Sequence, residues 1–221
     1  MPSFAYRISG FNRRRKWEIF LRDFAPQPAD RVLDVGFSDN EYSATDNFLE
    51  KHYPYRAQIT ALGIDAPSLF PARYPDVKVV QYEGREFPLA DNAFDVAWSN
   101  AVIEHVGQHE GRREAQILFL REIARVSTSA FVTTPNKWFP IEVHTRTPLL
   151  HWLPKRWFDR YLRWRGIDWA AGDYMDLLSL GEMRRLLRDA GITKYRIVQN
   201  RLMGLTLDFV VMIGEARTRP A

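Results

Sequence analysis

Short apolar runs alternate with amphipathic stretches along most of the chain, and this alternation predicts the fold. Each run is four to six residues long, as expected for strands that helices cover on both faces. The runs span residues 32–35, 59–64, 77–80, 94–99 and 130–134. Apolar residues at helical spacing over 112–126 predict a long helix between the last two. Strict alternation of strands and helices favours a doubly wound α/β fold with a parallel sheet.

Two capping boxes predict where further helices begin. Ser38 with Glu41 indicates a helix from about residue 41 to residue 53, and Ser179 with Glu182 indicates another near the end of the chain. In a capping box the serine side chain accepts a backbone hydrogen bond, while the glutamate reaches back to the serine N–H. The spacing alone therefore marks two helix starts.

The two ends of the chain add elements to the predicted sheet. Aromatic residues recur at helical spacing over 11–24, so the N-terminal region (1–29) is predicted to be a helix that lies against the domain. Two β-rich runs, 193–198 and 205–213, are separated by a few residues. This spacing predicts an antiparallel hairpin at the sheet edge.

The alternation breaks over residues 136–176. This segment holds five of the seven tryptophans and interleaves them with arginines. Those tryptophans are Trp138, Trp152, Trp157, Trp164 and Trp169. Three interpretations stay open: an inserted lid over a substrate pocket, a packed subdomain whose tryptophans fill a core, or contact of residues 136–172 with a membrane surface, where tryptophan and arginine favour the interface.

Composition narrows the class of protein. Hydrophobic residues make up 46% of the 221 residues and charged residues 26%, which is typical of globular proteins. No linker divides the chain, so we expect one domain over residues 1–221. The absence of cysteine excludes disulfides, iron–sulfur clusters and thiolate nucleophiles. No membrane-spanning apolar run and no signal peptide is recognisable, so we expect a cytoplasmic location.

The net charge of +4 comes from two local basic zones. Residues 1–22 carry six bases against one acid, and residues 137–165 carry seven bases against two acids. Zones of this kind serve phosphate, an anionic lipid surface or an acidic small molecule. A solvated surface without a ligand is the alternative.

The turn after the first predicted strand limits which ligand the chain can bind. A dinucleotide-binding turn needs G-x-G-x-x-G, whereas here only Gly36 is present and Ser38 and Asn40 occupy later positions. Asp34 would repel a pyrophosphate, and the chain lacks the G-K-[ST] of a phosphate-binding P-loop. An acid beside the glycine instead suits a ligand that presents an amine or another positive charge.

Several motifs follow one another in register over about residues 30–135. They are Val32-Leu33-Asp34-Val35-Gly36, Asp65, Gln81–Pro88, Asp91–Val96 and Ser99–Val106. As a set they resemble class I S-adenosylmethionine-dependent methyltransferases, and most of all the type 11 group of small-molecule enzymes. The resemblance implies a Rossmann-like, mostly parallel seven-stranded sheet with an antiparallel C-terminal hairpin, and S-adenosylmethionine as the cofactor.

The resemblance assigns the parts of the cofactor to particular residues. Asp34 and Gly36, with Phe37 in the same turn, match the motif that holds the methionine end. Asp65 matches the acid that accepts from both ribose hydroxyls, and a carboxylate offers the two acceptor oxygens that a vicinal diol needs. Glu83 matches the acid that accepts from the adenine amino group.

Backbone atoms complete the site that the resemblance implies. Gly84 and Arg85 match the residues beside the adenine ring. Ser99, Asn100 and Ala101 match the end of the fourth strand, whose backbone meets the methionine and faces the transferred methyl group. Ligands of parallel sheets bind outside the carboxyl ends of the strands, where all these residues are predicted to lie.

Methyl transfer to a hydroxyl or similar acceptor needs a base that takes the proton. His105 and His144 follow the fourth and fifth predicted strands and are the candidate catalytic residues, with a structural or surface role as the alternative for each. His105 and His109 have the i, i+4 spacing of a metal-binding pair. No third ligand is clear nearby, so no metal site is predicted.

Three classes of function are compatible with these motifs. The leading hypothesis is methyl transfer to a small-molecule or lipid-like acceptor. A nucleic-acid methyltransferase is disfavoured because the chain has Ser99-Asn100-Ala101-Val102 where base-amino enzymes have Asn/Asp-Pro-Pro-aromatic, and has no cysteine for attack on cytosine. A non-catalytic S-adenosylmethionine-binding or partner protein is the third, prompted by the altered glycine turn. The oligomeric state stays open.

Overall fold

A computed structural model describes residues 4–107, 111–142 and 144–214, with side chains from residue 10 onward. Over these residues the chain has nine strands. They are β1 Val32–Val35, β2 Ile59–Gly63, β3 Lys78–Gln81, β4 Val96–Asn100, β5 Ala130–Pro135, β6 Ile141–Glu142, β7 Thr147–Pro148, β8 Tyr195–Leu202 and β9 Leu205–Ile213. Strands β6 and β7 pair with each other, and the other seven form the main sheet.

The main sheet has the order β3-β2-β1-β4-β5-β9-β8 among the described residues. The first five strands are mutually parallel, whereas β9 is antiparallel to both β5 and β8. The predicted fold class and the C-terminal hairpin at the sheet edge are therefore confirmed. Parallel order brings the carboxyl ends of β1, β2, β4 and β5 to one edge of the sheet.

Helices cover both faces of the sheet. They are α1 Phe4–Phe24, α2 Phe48–His52, α3 Phe70–Arg73, α4 Arg112–Val126, α5 Lys155–Trp164 and α6 Leu180–Asp189. Helices α4 and α6 pack on one face, and α1, α2 and α3 pack on the other. The capping box of α6 forms as predicted, since the Ser179 hydroxyl accepts from the Glu182 N–H and the Glu182 carboxylate accepts from the Ser179 N–H.

The helix predicted over residues 41–53 is wrong, because only α2 forms there. The Ser38 hydroxyl donates to the carbonyl of Asn40, and the Glu41 carboxylate accepts from the Tyr74 hydroxyl at 2.5 Å instead of capping a helix. Asn47 then takes a left-handed conformation, φ 47°, immediately before α2. Long-range partners have overridden the local capping signal.

Helix α1 is fixed to the sheet by stacked aromatic rings. The rings of Trp98 on β4 and Phe131 on β5 stack at 4.7 Å, and Phe20 of α1 packs edge-on against both. All three side chains are buried. The predicted N-terminal amphipathic helix is thus present, and its aromatic face lies on the centre of the sheet.

A buried polar network continues this contact toward the C-terminal hairpin. The Lys16 ammonium of α1 lies 3.3 Å from the Asp208 carboxylate of β9, and both side chains are 5% exposed. Asp208 also accepts from the side-chain amides of Asn12 at 2.6 Å and Asn200 at 2.9 Å. Burial lowers the pKa of Lys16, against which the charge of Asp208 acts. The network links the first helix to the last two strands.

The tryptophan-rich segment folds around a small core of its own. Phe158 and Leu162 of α5 are buried, and Ala170 packs with them. The five tryptophans of residues 136–176 do not share that core, because they are between 44% and 79% exposed. The interpretation that these tryptophans fill a core is therefore wrong.

None of the helices in the described part of the chain is long and apolar enough to cross a bilayer. The predicted cytoplasmic location and the single-domain boundary over residues 1–221 stay predictions. The fold does show which turns lie together at the carboxyl ends of the parallel strands. The edge at which β1, β2, β4 and β5 end carries the turns that were predicted to bind a ligand.

We predict that replacing Asp208 with asparagine lowers the free energy of unfolding by about 3 kcal/mol, because the Lys16 ammonium would stay buried without its counter-charge. Urea denaturation followed by circular dichroism measures the change. Arg113→Ala is the matched control: it breaks an exposed ion pair with Asp189 and should cost less than about 1 kcal/mol. Equal losses in the two variants would contradict the importance of the buried pair.

Candidate active site

The turn after β1 requires glycine. Gly36 has φ +98°, and its N–H donates to the Leu62 carbonyl at 2.8 Å. A Cβ atom at this position would lie 2.5 Å from a methyl group of Val102, which follows β4. The β1 turn and the β4 turn are therefore in direct contact, and no larger side chain fits between them.

Phe37 points away from the predicted cofactor cleft. Its side chain is 7% exposed, and its ring lies 4.5 Å from the ring of Phe70 in the core. The ring also covers Gly63 at the end of β2, where an added Cβ would lie 2.6 Å from it. Phe37 can thus meet a ligand through its backbone, and its bulk does not narrow the cleft.

Asp39 holds in place the part of the turn where Ser38 and Asn40 occupy the positions of further glycines. Its carboxylate accepts from the backbone N–H groups of Ser68, Leu69 and Phe70 and from the Ser68 hydroxyl, all at 2.7–2.8 Å. These hydrogen bonds, led by that of Phe70, hold the pKa of Asp39 far below its usual range. The loop is built on hydrogen bonds instead of glycine flexibility.

Asp34 is buried beside a second acid that the sequence did not reveal. Glu50 of α2 is fully buried, and its carboxylate is close enough to that of Asp34 for the two to share a proton in a hydrogen bond. Burial raises the pKa of Asp34 well above its usual range, and the negative charge of Glu50 adds to the shift. Burial likewise raises the pKa of Glu50. A positively charged group would stabilise this pair of acids.

The residues predicted to hold ribose and adenine lie in the open. Asp65 beyond β2 and Glu83 beyond β3 are exposed, and Gly84 has φ +78°. Glu83 and Arg85 border an open groove of about 480 Å³ that is also lined by Tyr82 and Pro88. The structure thus leaves these polar groups accessible to a ligand at the carboxyl edge.

The end of β4 combines unpartnered polar atoms with unusual backbone geometry. The Ser99 hydroxyl and the Asn100 amide nitrogen are buried and have no hydrogen-bond partner among the described residues. Ala101 has φ +58°, held by a hydrogen bond from its N–H to the Thr133 carbonyl at 3.0 Å. Strained conformations of this kind persist mainly at functional sites.

The two predicted catalytic histidines come together beyond β4 and β5. Their rings are 5.1 Å apart, although 39 residues separate His105 from His144 in the sequence. The Nδ1 atom of His144 lies 2.8 Å from the Glu142 carboxylate, and its Nε2 atom lies 3.9 Å from Oε1 of Glu104. The Nδ1 atom of His105 lies 3.0 Å from the Tyr174 carbonyl. His109 lies outside the described residues.

Buried charge shifts the pKa values of this cluster. Burial raises the pKa of Glu142, but the hydrogen bond and charge of His144 outweigh it and lower the pKa to about 2. Burial lowers the pKa of His144, and Glu142 and Glu104 more than offset this and raise it. Burial lowers the pKa of His105. Sequence patterns missed Glu104 and Glu142, because only the fold brings them beside the histidines.

The comparison with known families decides the class of this domain. Residues 33–129 match the family described as a methyltransferase domain. The chain carries a methyltransferase domain. The resemblance inferred from the motifs is therefore confirmed, and with it the enzyme class and S-adenosylmethionine as the indicated cofactor. No curated protein matches the chain in sequence.

Solved structures share the fold of this methyltransferase domain. A SAM-dependent methyltransferase from Aquifex aeolicus is 16% identical with a TM-score of 0.56, over 96% of this chain and 98% of that one. One from Thermotoga maritima is 14% identical with a TM-score of 0.57, over 96% and 91%. One from Mesorhizobium loti is 11% identical with a TM-score of 0.58, over 90% and 95%. At such identities the similarity concerns the fold alone.

The residues present fit the cofactor of a methyltransferase. Two buried polar atoms at the end of β4, the Ser99 hydroxyl and the side-chain nitrogen of Asn100, have no hydrogen-bond partner among the described residues. Leaving such atoms unpaired costs free energy, so a polar ligand just beyond the carboxyl end of β4 is favourable. The acidic pair suits the positive end of S-adenosylmethionine, and Asp65 and Glu83 are exposed beyond the neighbouring strands.

Proposed function

We propose that this methyltransferase domain transfers a methyl group from S-adenosylmethionine to a protonated nucleophile of a small-molecule or lipid-like acceptor. The acceptor would lie against Glu104, His105 and His144. The observation that carries the proposal is a pair of buried polar atoms at the carboxyl end of β4, the strand that leads to the paired histidines, for which the described residues offer no hydrogen-bond partner. A site of this kind, at the carboxyl edge of a parallel sheet, has both a place for a cofactor and a group that can accept a proton.

Each part of the site has a role in binding. Asp34 and Glu50 would hold the positively charged methionine end, Asp65 the ribose hydroxyls and Glu83 the adenine amino group. When bound, S-adenosylmethionine supplies a sulfonium methyl group, which a nucleophile takes while the sulfur keeps the electron pair of the broken bond. The protein's task is positioning, which can account for a large part of the rate of such a displacement.

The acceptor's proton must leave, and the histidines are the groups placed to promote this. Glu142 holds Nδ1 of His144, so the Nε2 lone pair faces the cluster. That lone pair can act on the acceptor in two ways: it can take the proton, or it can bind a cation that makes the proton more acidic. Either route gives His144 a role in turnover and none in cofactor binding.

The acceptor class can be narrowed by the surface of α5. Trp157 and Trp164 lie seven residues apart on one exposed side of this helix, and Phe158 and Leu162 are buried on the other. Residues 137–165 carry seven bases against two acids, of which Glu142 is buried. Exposed tryptophans among basic residues are typical of helices that lie on an anionic membrane surface. We therefore propose a lipid-like acceptor.

Calorimetry with S-adenosylmethionine tests the cofactor assignment. Asp65→Ala should weaken binding by about 1–3 kcal/mol, because two ribose hydroxyls would lose their acceptor. Asp76→Ala removes an exposed acid before β3, at the opposite edge of the sheet, and should leave the affinity unchanged. Absence of binding by the wild-type protein up to about 1 mM ligand would contradict the proposed function and favour a non-catalytic protein.

His144→Gln should lower turnover by roughly 10²–10⁴-fold while S-adenosylmethionine binds as in the wild type, because the imidazole acts on the acceptor. Turnover is measured as release of S-adenosylhomocysteine with an acceptor found among phenols and hydroxylated lipids. His151→Gln, in the same segment but outside the cluster, is the control and should keep its activity. Wild-type turnover in His144→Gln would remove this histidine from the reaction.

Sedimentation with vesicles tests the lipid surface. The wild-type protein should bind vesicles of phosphatidylglycerol and phosphatidylcholine, and Trp157→Ser/Trp164→Ser should reduce binding at least about tenfold, because the interfacial anchors are lost. Tyr42→Ser removes another highly exposed aromatic residue and should have no effect. Absence of wild-type binding would favour a soluble small-molecule acceptor, whereas steeply salt-dependent binding of nucleic acid would revive the nucleic-acid alternative.

A further inference from the structure

Three potential ligand atoms converge beyond β4 and β5. One oxygen or nitrogen atom from each of Glu104, His105 and His144 lies within 4.8 Å of the other two. Nε2 of His144 lies 3.9 Å from Oε1 of Glu104. A separation of 3.9 Å is too long for a direct hydrogen bond, and three atoms within 4.8 Å of one another are close enough to bind one ion between them.

Both histidines present the same nitrogen to this space. Nδ1 of His105 lies 3.0 Å from the Tyr174 carbonyl, and a carbonyl can only accept, so Nδ1 carries the proton. Nδ1 of His144 lies 2.8 Å from the Glu142 carboxylate. The Nε2 atoms then hold the lone pairs. A histidine whose far nitrogen donates to a carboxylate or a backbone carbonyl is the usual arrangement of a metal ligand.

The carboxylate of Glu104 gives independent support for a bound cation. Glu104 is fully buried, and its Oε2 accepts from the Thr134 hydroxyl at 3.0 Å. Its Oε1, the atom that faces His144, has no hydrogen-bond partner in the described part of the chain. A buried carboxylate oxygen without a partner is costly. A cation at this position would remove that cost.

We propose that Glu104, His105 and His144 bind one divalent metal ion, with Oε1 of Glu104 and Nε2 of both histidines as ligands. Two imidazoles and one carboxylate suit an ion of the Zn²⁺ type better than Mg²⁺, which prefers oxygen ligands. Three protein ligands leave a coordination position open, as in catalytic rather than structural sites. The open position can take one further ligand, such as a hydroxyl of the proposed acceptor.

The metal site extends the proposed function. Its effect on the acceptor rests on that function, whereas the binding of the ion does not. A hydroxyl that reaches the open position would become more acidic, and its proton would pass to water. Because the Nε2 lone pair of His144 would then hold the ion, this histidine would act as a ligand and not as the base. The acceptor class implied is a hydroxyl compound, which gives up its proton more readily beside a cation.

Metal binding is measured with the ion alone, on full-length protein treated with a chelator and without S-adenosylmethionine. Titration calorimetry with Zn²⁺ should give one ion per chain. Glu104→Gln, His105→Gln and His144→Gln should each weaken binding by at least about 100-fold, and Glu142→Gln, which acts through His144, by about 10–100-fold. His52→Gln and His151→Gln, histidines outside the cluster, should bind Zn²⁺ as the wild type does.

A second measurement uses only the wild-type protein and so does not depend on variants that fold. Co²⁺ should give visible absorption bands of a low-coordinate site, together with two strongly shifted exchangeable NMR signals from the Nδ1–H groups of the two bound histidines. No binding up to about 1 mM Zn²⁺, or equal binding by wild type and the three ligand variants, would overturn the proposal. Absence of both shifted signals in a Co²⁺-loaded protein would do the same.

The two proposals fail separately. Binding of S-adenosylmethionine to the metal-free protein without any Zn²⁺ binding would sink the metal site and leave the proposed function standing. Zn²⁺ binding without S-adenosylmethionine binding would have the opposite meaning. If both bind, added Zn²⁺ should restore turnover to chelator-treated wild type and not to Glu104→Gln, and restoration of both would contradict the assigned ligand.

Discussion

The contact between Gly36 and Val102 is the constraint on which the site depends. It joins the turn after β1 to the turn after β4, and the space between them admits no Cβ atom. The first turn leads to the acids predicted to face the cofactor, and the second leads directly into Glu104 and His105. The separation of the two halves of the site is therefore set by the packing of the Val102 side chain against the backbone of Gly36. A site placed on strand ends and tight turns is held more rigidly than one placed on long loops.

A second feature of the molecule is a group of buried acidic side chains near the candidate site. Asp34, Glu50, Glu104 and Glu142 are all buried close to the carboxyl edge of the sheet. An isolated buried carboxylate is unfavourable, so each one either finds a cation, is protonated or awaits a ligand. Glu142 accepts a hydrogen bond from Nδ1 of His144, whereas burial raises the pKa of Asp34 and Glu50 and so favours a proton shared between them. This distribution of charge distinguishes the cofactor side of the cleft from the histidine side.

The strands were predictable because buried parallel strands leave an unambiguous signal, a short apolar run between polar turns. The bounds predicted for the first strand, 32–35, are those observed for β1. The helix over 41–53 was not predictable from its capping box, because Glu41 is held by Tyr74, which is 33 residues away in the sequence. Local rules describe a segment only when no distant side chain competes for the same hydrogen bonds.

The histidines of the candidate site could be identified in the sequence, but their partners could not. His105 and His144 follow predicted strands, and parallel order then requires the two to be neighbours. Glu104 and Glu142 look like surface acids in a sequence and are fully or almost fully buried in the structure. The positions of these side chains depend on contacts with residues that are distant in the sequence, such as the hydrogen bond of Thr134 to Glu104 and that of His105 to the Tyr174 carbonyl. The pattern of hydrophobic residues contains no information about such contacts.

The polar network beneath α1 also bears on how the chain is made. The amide of Asn12 donates to Asp208, 196 residues later. At a synthesis rate of about 5–20 residues per second, the first helix waits roughly 10–40 seconds for its partner strand to leave the ribosome. During that interval the aromatic face of α1 can pack on β4 and β5, but the Lys16 ammonium lacks its counter-charge, Asp208. The hairpin is therefore added to the sheet after the five parallel strands have been made, and Lys16 gains its counter-charge only once β9 has left the ribosome.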